Sequence, residues 1–152
     1  MTSGQRPEQP AEPATIDTPG VIAHGVDITE VSRIRSLIEE HGDRFLNRCF
    51  TAEEAAYGKD SRRYAEHLAA RYAAKEAVLK ALGTGLADGI AWTDIEVTRA
   101  ATGQPGVILR GRAAQIAQQL GIGRWSISLT HTESLAMASA IAIRTDAVPQ
   151  RG

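Results

Sequence analysis

Hydrophobic positions along the chain fall into short runs whose spacing changes from element to element. The run VIAHGVDI is short and β-branched, reads as a strand, and places Asp27 in the same alternation as Val21, Ala23 and Gly25. A carboxylate is therefore expected to point inward. In TEVSRIRSLIEEHG the residues Val31, Ile34, Leu37 and Ile38 form one helical stripe that leaves Arg33 and Arg35 outside it, and Gly42 ends it. Thr51 followed by Glu54 is a capping box, in which a hydroxyl and a carboxylate satisfy the first free amides of a short helix starting near Ala52. A long helix follows over YAEHLAARYAAKEAVLKALGTG, ending in glycines suited to a left-handed cap. The strands DIEVTRA and PGVILRG, the helix RAAQIAQQLG and the hairpin strands RWSISLTHT and LAMASAIAIR complete the order β-α-α-α-β-β-α-β-β. Strict βα alternation is missing, so the fold class is α+β, with a mainly antiparallel sheet packed against the long buried helix.

The long helix does not read as plain structure. At about 100° per residue, Leu68, Tyr72, Val78, Leu79 and Leu82 share one broad arc, and alanines take most of the opposite side. A helix apolar on both faces is buried between two layers. Yet Arg71 and Lys75 fall inside the large-residue arc, Glu76 on its edge and Lys80 within the alanine face. An unpaired buried charge is too costly to keep, so these groups pair with one another, snorkel to the rim, or meet an anionic ligand and a metal. Glu76 and Lys80 at i,i+4 make an ordinary surface pair worth about 0.2–0.5 kcal/mol, which is the bland reading.

Composition narrows the classes. With 17 Lys and Arg against 18 Asp and Glu in 152 residues, the net charge of −1 argues against a general nucleic-acid or anionic-membrane coat. One cysteine, Cys49, excludes an internal disulfide framework and a Cys-cluster zinc site, and places the protein in the reducing cytoplasm. Cys49 lacks a histidine motif around it and reads as a small buried hydrophobe. No apolar run approaches the roughly 20 residues of a membrane span, nor does the start have the order of a signal peptide. Four of the six prolines lie among the first 19 residues, so residues 1–20 are read as a disordered tail, 21–145 as the folded domain and 146–152 as a flexible end.

Asp27 gives the helix charges a second reading. An inward carboxylate from a strand, facing Glu76 from a buried helix, makes two hard oxygen ligands, and Mg²⁺ characteristically takes one or two protein carboxylates and completes its shell with water and substrate phosphate. Arg71, Lys75, Lys80 and the amides of the Gly-Thr-Gly turn would then cradle the phosphate. Mn²⁺ suits the same oxygen site.

Four ordered blocks, GVDITEVSRI, FTAEE, ARYAAKEAVLKALGTG and SISLTHT, resemble those of holo-acyl-carrier-protein synthases, and the resemblance runs from about Val21 to Ile143. That family moves 4′-phosphopantetheine from coenzyme A to a serine of acyl carrier protein. The resemblance implies the small phosphopantetheinyl transferase fold, a homotrimer with an active site at each subunit boundary, and a role in fatty acid biosynthesis. It implies that Asp27 and Glu76 bind Mg²⁺, that Lys80 and Gly83 contact coenzyme A, that Arg71 lies nearby, and that His131 contacts the cofactor. The basic helix bearing Arg33 resembles the one that docks the acidic carrier, with Arg35, Arg44 and Arg48 as weaker candidates. Asp27, Glu76 and Lys80 are then the catalytic set, with Lys75 or Lys80 meeting charge on the leaving phosphate. A metal-bound water is favoured as the base over Glu76 or His131. The segment before Val21 exceeds the family's usual start and is assigned no catalytic role. Two other classes stay open from the residues alone: a Mg-dependent hydrolase of nucleotide pyrophosphates, and a non-catalytic module that binds an acidic partner through the arginines.

Overall fold

The structure is a computed structural model, and it describes residues 20–145. Of the tails expected over 1–20 and 146–152, all but Gly20 lie outside the described residues. Strand β1 (Val21–Glu30) is followed by helices α1 (Val31–His41), α2 (Asp43–Cys49), α3 (Ala52–Ala56) and α4 (Tyr64–Leu82). A 3₁₀ turn at Trp92–Asp94 leads into the hairpin of β2 (Ile95–Arg99) and β3 (Pro105–Leu109). Helix α5 (Gly111–Gln119) then precedes β4 (Ile122–His131) and β5 (Leu135–Arg144).

The α+β class and the antiparallel pairing agree with the reading of the sequence. Strands β1, β5 and β4 form one antiparallel sheet in that order, and β2 and β3 form a second. Two elements were not anticipated. Helix α2 is only seven residues long and buries Phe45, Leu46 and Cys49, too brief a pattern to show helical periodicity. The 3₁₀ turn is held by Trp92, which packs its ring against Tyr72 at a centroid distance of 4.8 Å.

Small residues decide how the layers meet. The inward face of β5 is a row of alanines, Ala136, Ala138, Ala140 and Ala142, and α4 presents Ala69, Ala70, Ala73, Ala74 and Ala77 in return, all of them buried. With no large side chain between them, helix and sheet backbones approach closely. Gly25 on β1 marks the extreme, because a Cβ built there would collide with the Ala77 carbonyl oxygen. That close approach brings the inward Asp27, two residues along β1, against the last two turns of α4. Buried residues take up the whole circumference of α4, as expected for a helix apolar on both sides.

Candidate functional site

Asp27 faces inward from β1 with its side chain 16% exposed. Its Oδ2 accepts a hydrogen bond from the Thr29 hydroxyl at 3.1 Å, and its Oδ1 accepts one from Lys80 Nζ at 2.9 Å. Lys80 also donates to the Val26 carbonyl at 2.8 Å. So Lys80 pairs across to the strand, and the i,i+4 pair with Glu76 suggested by the sequence is not the contact it makes. Glu76 is half-buried, one helical turn before Lys80. Burial, and next the charge of Asp27, push its carboxyl above the ordinary 4.5, while Lys80 and Arg33 pull it down. Two carboxylates are thus held near each other in a partly desolvated cleft, with Arg33 on the solvent face of α1 within electrostatic reach. Helix α4 ends at Gly83, whose φ of 77° is the left-handed cap and whose amide closes onto Leu79 and Lys80. The glycine turn after it stands open, with nothing near the positions a Cβ would take at Gly83 or Gly85.

This pair suits a hard divalent cation. A carboxylate whose charge is penalised by burial and by a neighbouring carboxylate, as at Glu76, is relieved by a positive charge, and Mg²⁺ or Mn²⁺ needs no more than two carboxylates when substrate phosphate completes the shell. Among the described residues no group of three or more His, Cys, Asp or Glu gathers into a metal site.

Lys75 departs from the sequence reading. Its ammonium is wholly buried and spends its donors on Glu54 Oε2 at 2.7 Å, the Ile95 carbonyl at 2.6 Å and the Trp92 carbonyl at 3.1 Å. Desolvation pulls its pKa down and Glu54 opposes the shift. It therefore does not reach a phosphate, and its partner is the capping-box glutamate, a residue read from the sequence only as a helix cap.

Arg71 and His131 lie elsewhere. The register runs from Asp27 through Ala138 to Leu129, and from Thr29 through Ala136 to His131, so β5 separates β1 from the strand bearing His131. Arg71 and His131 line a cavity of about 220 Å³ with Tyr57, His67 and Arg99, on the β4 side of α4. The Arg71 guanidinium sits 4.1 Å from the centre of the Tyr57 ring, and its Nε is buried without a partner. The rings of His67 and His131 are 5.7 Å apart, and burial, His131 and Arg71 lower the pKa of His67. One chain thus brings Asp27, Glu76, Lys80 and Gly83 together, and holds Arg71 and His131 in a second cationic cleft. Tyr57, His67 and Arg99 escaped the sequence reading. The spacing of His67 four residues before Arg71 on one helix face is a signal for His67 alone.

Beside α1 a third cavity, of about 310 Å³, has Phe45, Tyr72 and Trp92 in its lining together with His41, Arg44 and Arg48. Arg33 and Arg35 are exposed on the same helix as His41.

The family model of the 4′-phosphopantetheinyl transferase superfamily matches residues 23–138. A holo-[acyl-carrier-protein] synthase of Koribacter versatilis is 46% identical over 121 residues, which make up 80% of this chain and 97% of that protein. Among solved structures, the Plasmodium yoelii acyl carrier protein synthase with ADP bound superposes with a TM-score of 0.74 at 29% identity, covering 83% of this chain and 97% of that one. A Bacillus anthracis holo-(acyl-carrier-protein) synthase in complex with CoA (3′,5′-ADP) gives a TM-score of 0.68 at 29% identity, covering 83% and 99%.

Proposed function

Because the chain belongs to the 4′-phosphopantetheinyl transferase superfamily and, within it, to the holo-acyl-carrier-protein synthases, we propose that it transfers phosphopantetheine from coenzyme A to a serine of apo acyl carrier protein, through a divalent-cation site made by Asp27 and Glu76. The reaction is a displacement at phosphorus. The serine oxygen forms a bond to the β-phosphorus of coenzyme A, the bond from that phosphorus to the bridging oxygen breaks, 3′,5′-ADP leaves, and the serine proton is released.

The observation that carries the reading is the placement of two carboxylates and a lysine on facing elements, with Lys80 Nζ 2.9 Å from Asp27. Asp27 and Glu76 would hold Mg²⁺, with Mn²⁺ as an alternative in the same oxygen site. Held there, it would supply positive charge opposite the phosphates. Lys80 and the open turn from Gly83 offer an ammonium and backbone amides to the phosphates. In phosphoryl transfer such positioning and neutralisation supply most of the catalysis. Arg71 and His131 contribute to donor binding from the β4-side cleft, where Tyr57 and Arg99 add an aromatic face and a second cation.

Separation of these two clefts across the sheet favours a homotrimer in which a neighbouring copy completes each site. The outward sheet face supports it, since Val26, Ile28, Leu135 and Met137 stand 44, 61, 44 and 42% exposed as a contiguous apolar surface. Arg33, with Arg44 and Arg48 around the aromatic cavity, fits an acidic carrier whose docking is steered by charge. No helix of the described residues is long and apolar enough to cross a membrane. A cytoplasmic place and a part in fatty acid biosynthesis complete the proposal, the single unpaired Cys49 being in keeping with a reducing compartment.

Intact-mass spectrometry of an apo acyl carrier protein incubated with this protein, coenzyme A and Mg²⁺ tests it. A gain of one phosphopantetheine, abolished by EDTA and by Asp27→Ala or Glu76→Ala, is expected. Coenzyme A cleaved with no mass gain would make the protein a hydrolase. Full transfer by both variants would remove the carboxylate site.

A further inference from the structure

Lys80 carries more than a place beside the phosphates. Asp27 uses both carboxylate oxygens within the chain, Oδ2 for the Thr29 hydroxyl at 3.1 Å and Oδ1 for Lys80 at 2.9 Å. Thr29 sits on the same strand, buried and fixed. Lys80 is different: its side chain is 53% exposed, its stem is flexible, and it comes from the last turn of α4, next to the open glycine turn. The same ammonium also caps the Val26 carbonyl at 2.8 Å, which holds it squarely on the Asp27 side of the cleft. Its charge, together with that of Arg33, offsets the repulsion that Asp27 exerts on Glu76, and of the two only Lys80 is bonded to Asp27.

Resting on the reading that Asp27 and Glu76 hold the divalent cation, we propose that Lys80 is the resident cation of Asp27 and exchanges partners on loading, releasing Oδ1 to the metal and carrying its ammonium to a donor phosphate. One ammonium cannot serve both anions at full strength, so metal and donor each remove the other's competitor. The two then bind cooperatively, and the coupling passes through Lys80. Lys80 also sets an internal brake on metal binding, because the cation must displace an ion pair already made.

Mn²⁺ binding to the full chain, followed by electron paramagnetic resonance of the free ion with and without coenzyme A, reads this directly. Without donor, Lys80→Met and Lys80→Gln are expected to tighten Mn²⁺ by about fivefold, the size of a partly exposed ion pair. Arg33→Met, which removes a charge near Glu76 that holds no bond to Asp27, is expected to shift it by less than about twofold. The gain in Mn²⁺ affinity on adding coenzyme A should shrink by the same factor of about five when Lys80 is replaced. Circular dichroism confirms that the variants are folded. Equal or weaker Mn²⁺ binding by both Lys80 variants overturns the exchange, as does an Arg33→Met effect of the same size. Mn²⁺ binding unaffected by Asp27→Asn instead overturns the metal site itself, and the exchange with it.

Discussion

The Lys75 ammonium lies 2.7 Å from the Glu54 carboxylate, with both side chains wholly shielded from solvent. Glu54 joins three elements, its own α3, α4 and β2. Its Oε2 also accepts the Thr51 amide at 2.9 Å as the α3 cap, and its Oε1 accepts the Val97 amide of β2 at 2.8 Å. Lys75 adds the carbonyls of Trp92 and Ile95. The pair therefore ties α3, α4, the 3₁₀ turn and β2 together one residue away from Glu76.

Breaking that pair from one side leaves a charge stranded in the core. Lys75→Met is expected to destabilise the protein by about 3–5 kcal/mol, measured by urea unfolding. Adding Glu54→Leu should recover part of the loss, the remainder reflecting the Thr51 and Val97 amides left without a partner, at about 1–3 kcal/mol. A Lys75→Met protein as stable as the parent would show that the ammonium is not buried as described.

Gly25 is required by proximity and not by backbone conformation. A methyl group there meets the Ala77 carbonyl, which belongs to the backbone of α4 and cannot swing away. Gly25→Ala should cost about 1–3 kcal/mol or more, as overpacking does, and should also lower activity because the helix bearing Glu76 must shift. Thermal unfolding and the mass-spectrometric transfer assay measure the two effects; an unchanged melting temperature would contradict the close packing.

Glu76 is held at a cost to stability. Its carboxyl pKa is raised in the folded protein, first by burial and then by Asp27, so folding favours the protonated form and its ionisation is a stability cost. Below the unfolded value near 4.5 the cost is absent, and it develops as pH rises through the raised folded value. Glu76→Gln should therefore melt higher than the parent at pH 7.5 in EDTA, with the difference vanishing below pH ~4. Adding Mg²⁺ should stabilise the parent and not the variant. A variant that melts lower at neutral pH would mean that Glu76 is already compensated within the chain.

The outward sheet face tests assembly. Ile28 is 61% exposed at the middle of the apolar patch. A charge there should prevent copies from packing while leaving the inward face untouched, so Ile28→Arg is expected to be monomeric by sedimentation and inactive in transfer, though folded. An active monomer would show that one chain suffices for the site.

Local pattern alone disclosed much of this molecule. Alternation over Val21–Ile28 turned Asp27 inward, the Thr51–Glu54 spacing marked a helix start, and glycines marked the end of α4, because each depends on residues within a few positions of one another. Ordered blocks carried the family. The fate of four of the charges on α4 was another matter. Arg71, Lys75, Glu76 and Lys80 share one helix and similar neighbours in sequence, yet Lys75 is spent on a buried partner 21 positions upstream and Lys80 on one 53 positions away. Arg71 turns to a tyrosine ring in a separate cleft. Periodicity gives the angle at which a side chain leaves its helix. Which strand, cap or ring stands at that angle is decided by the close approach of alanine faces and by strand order, and those are properties of the tertiary structure.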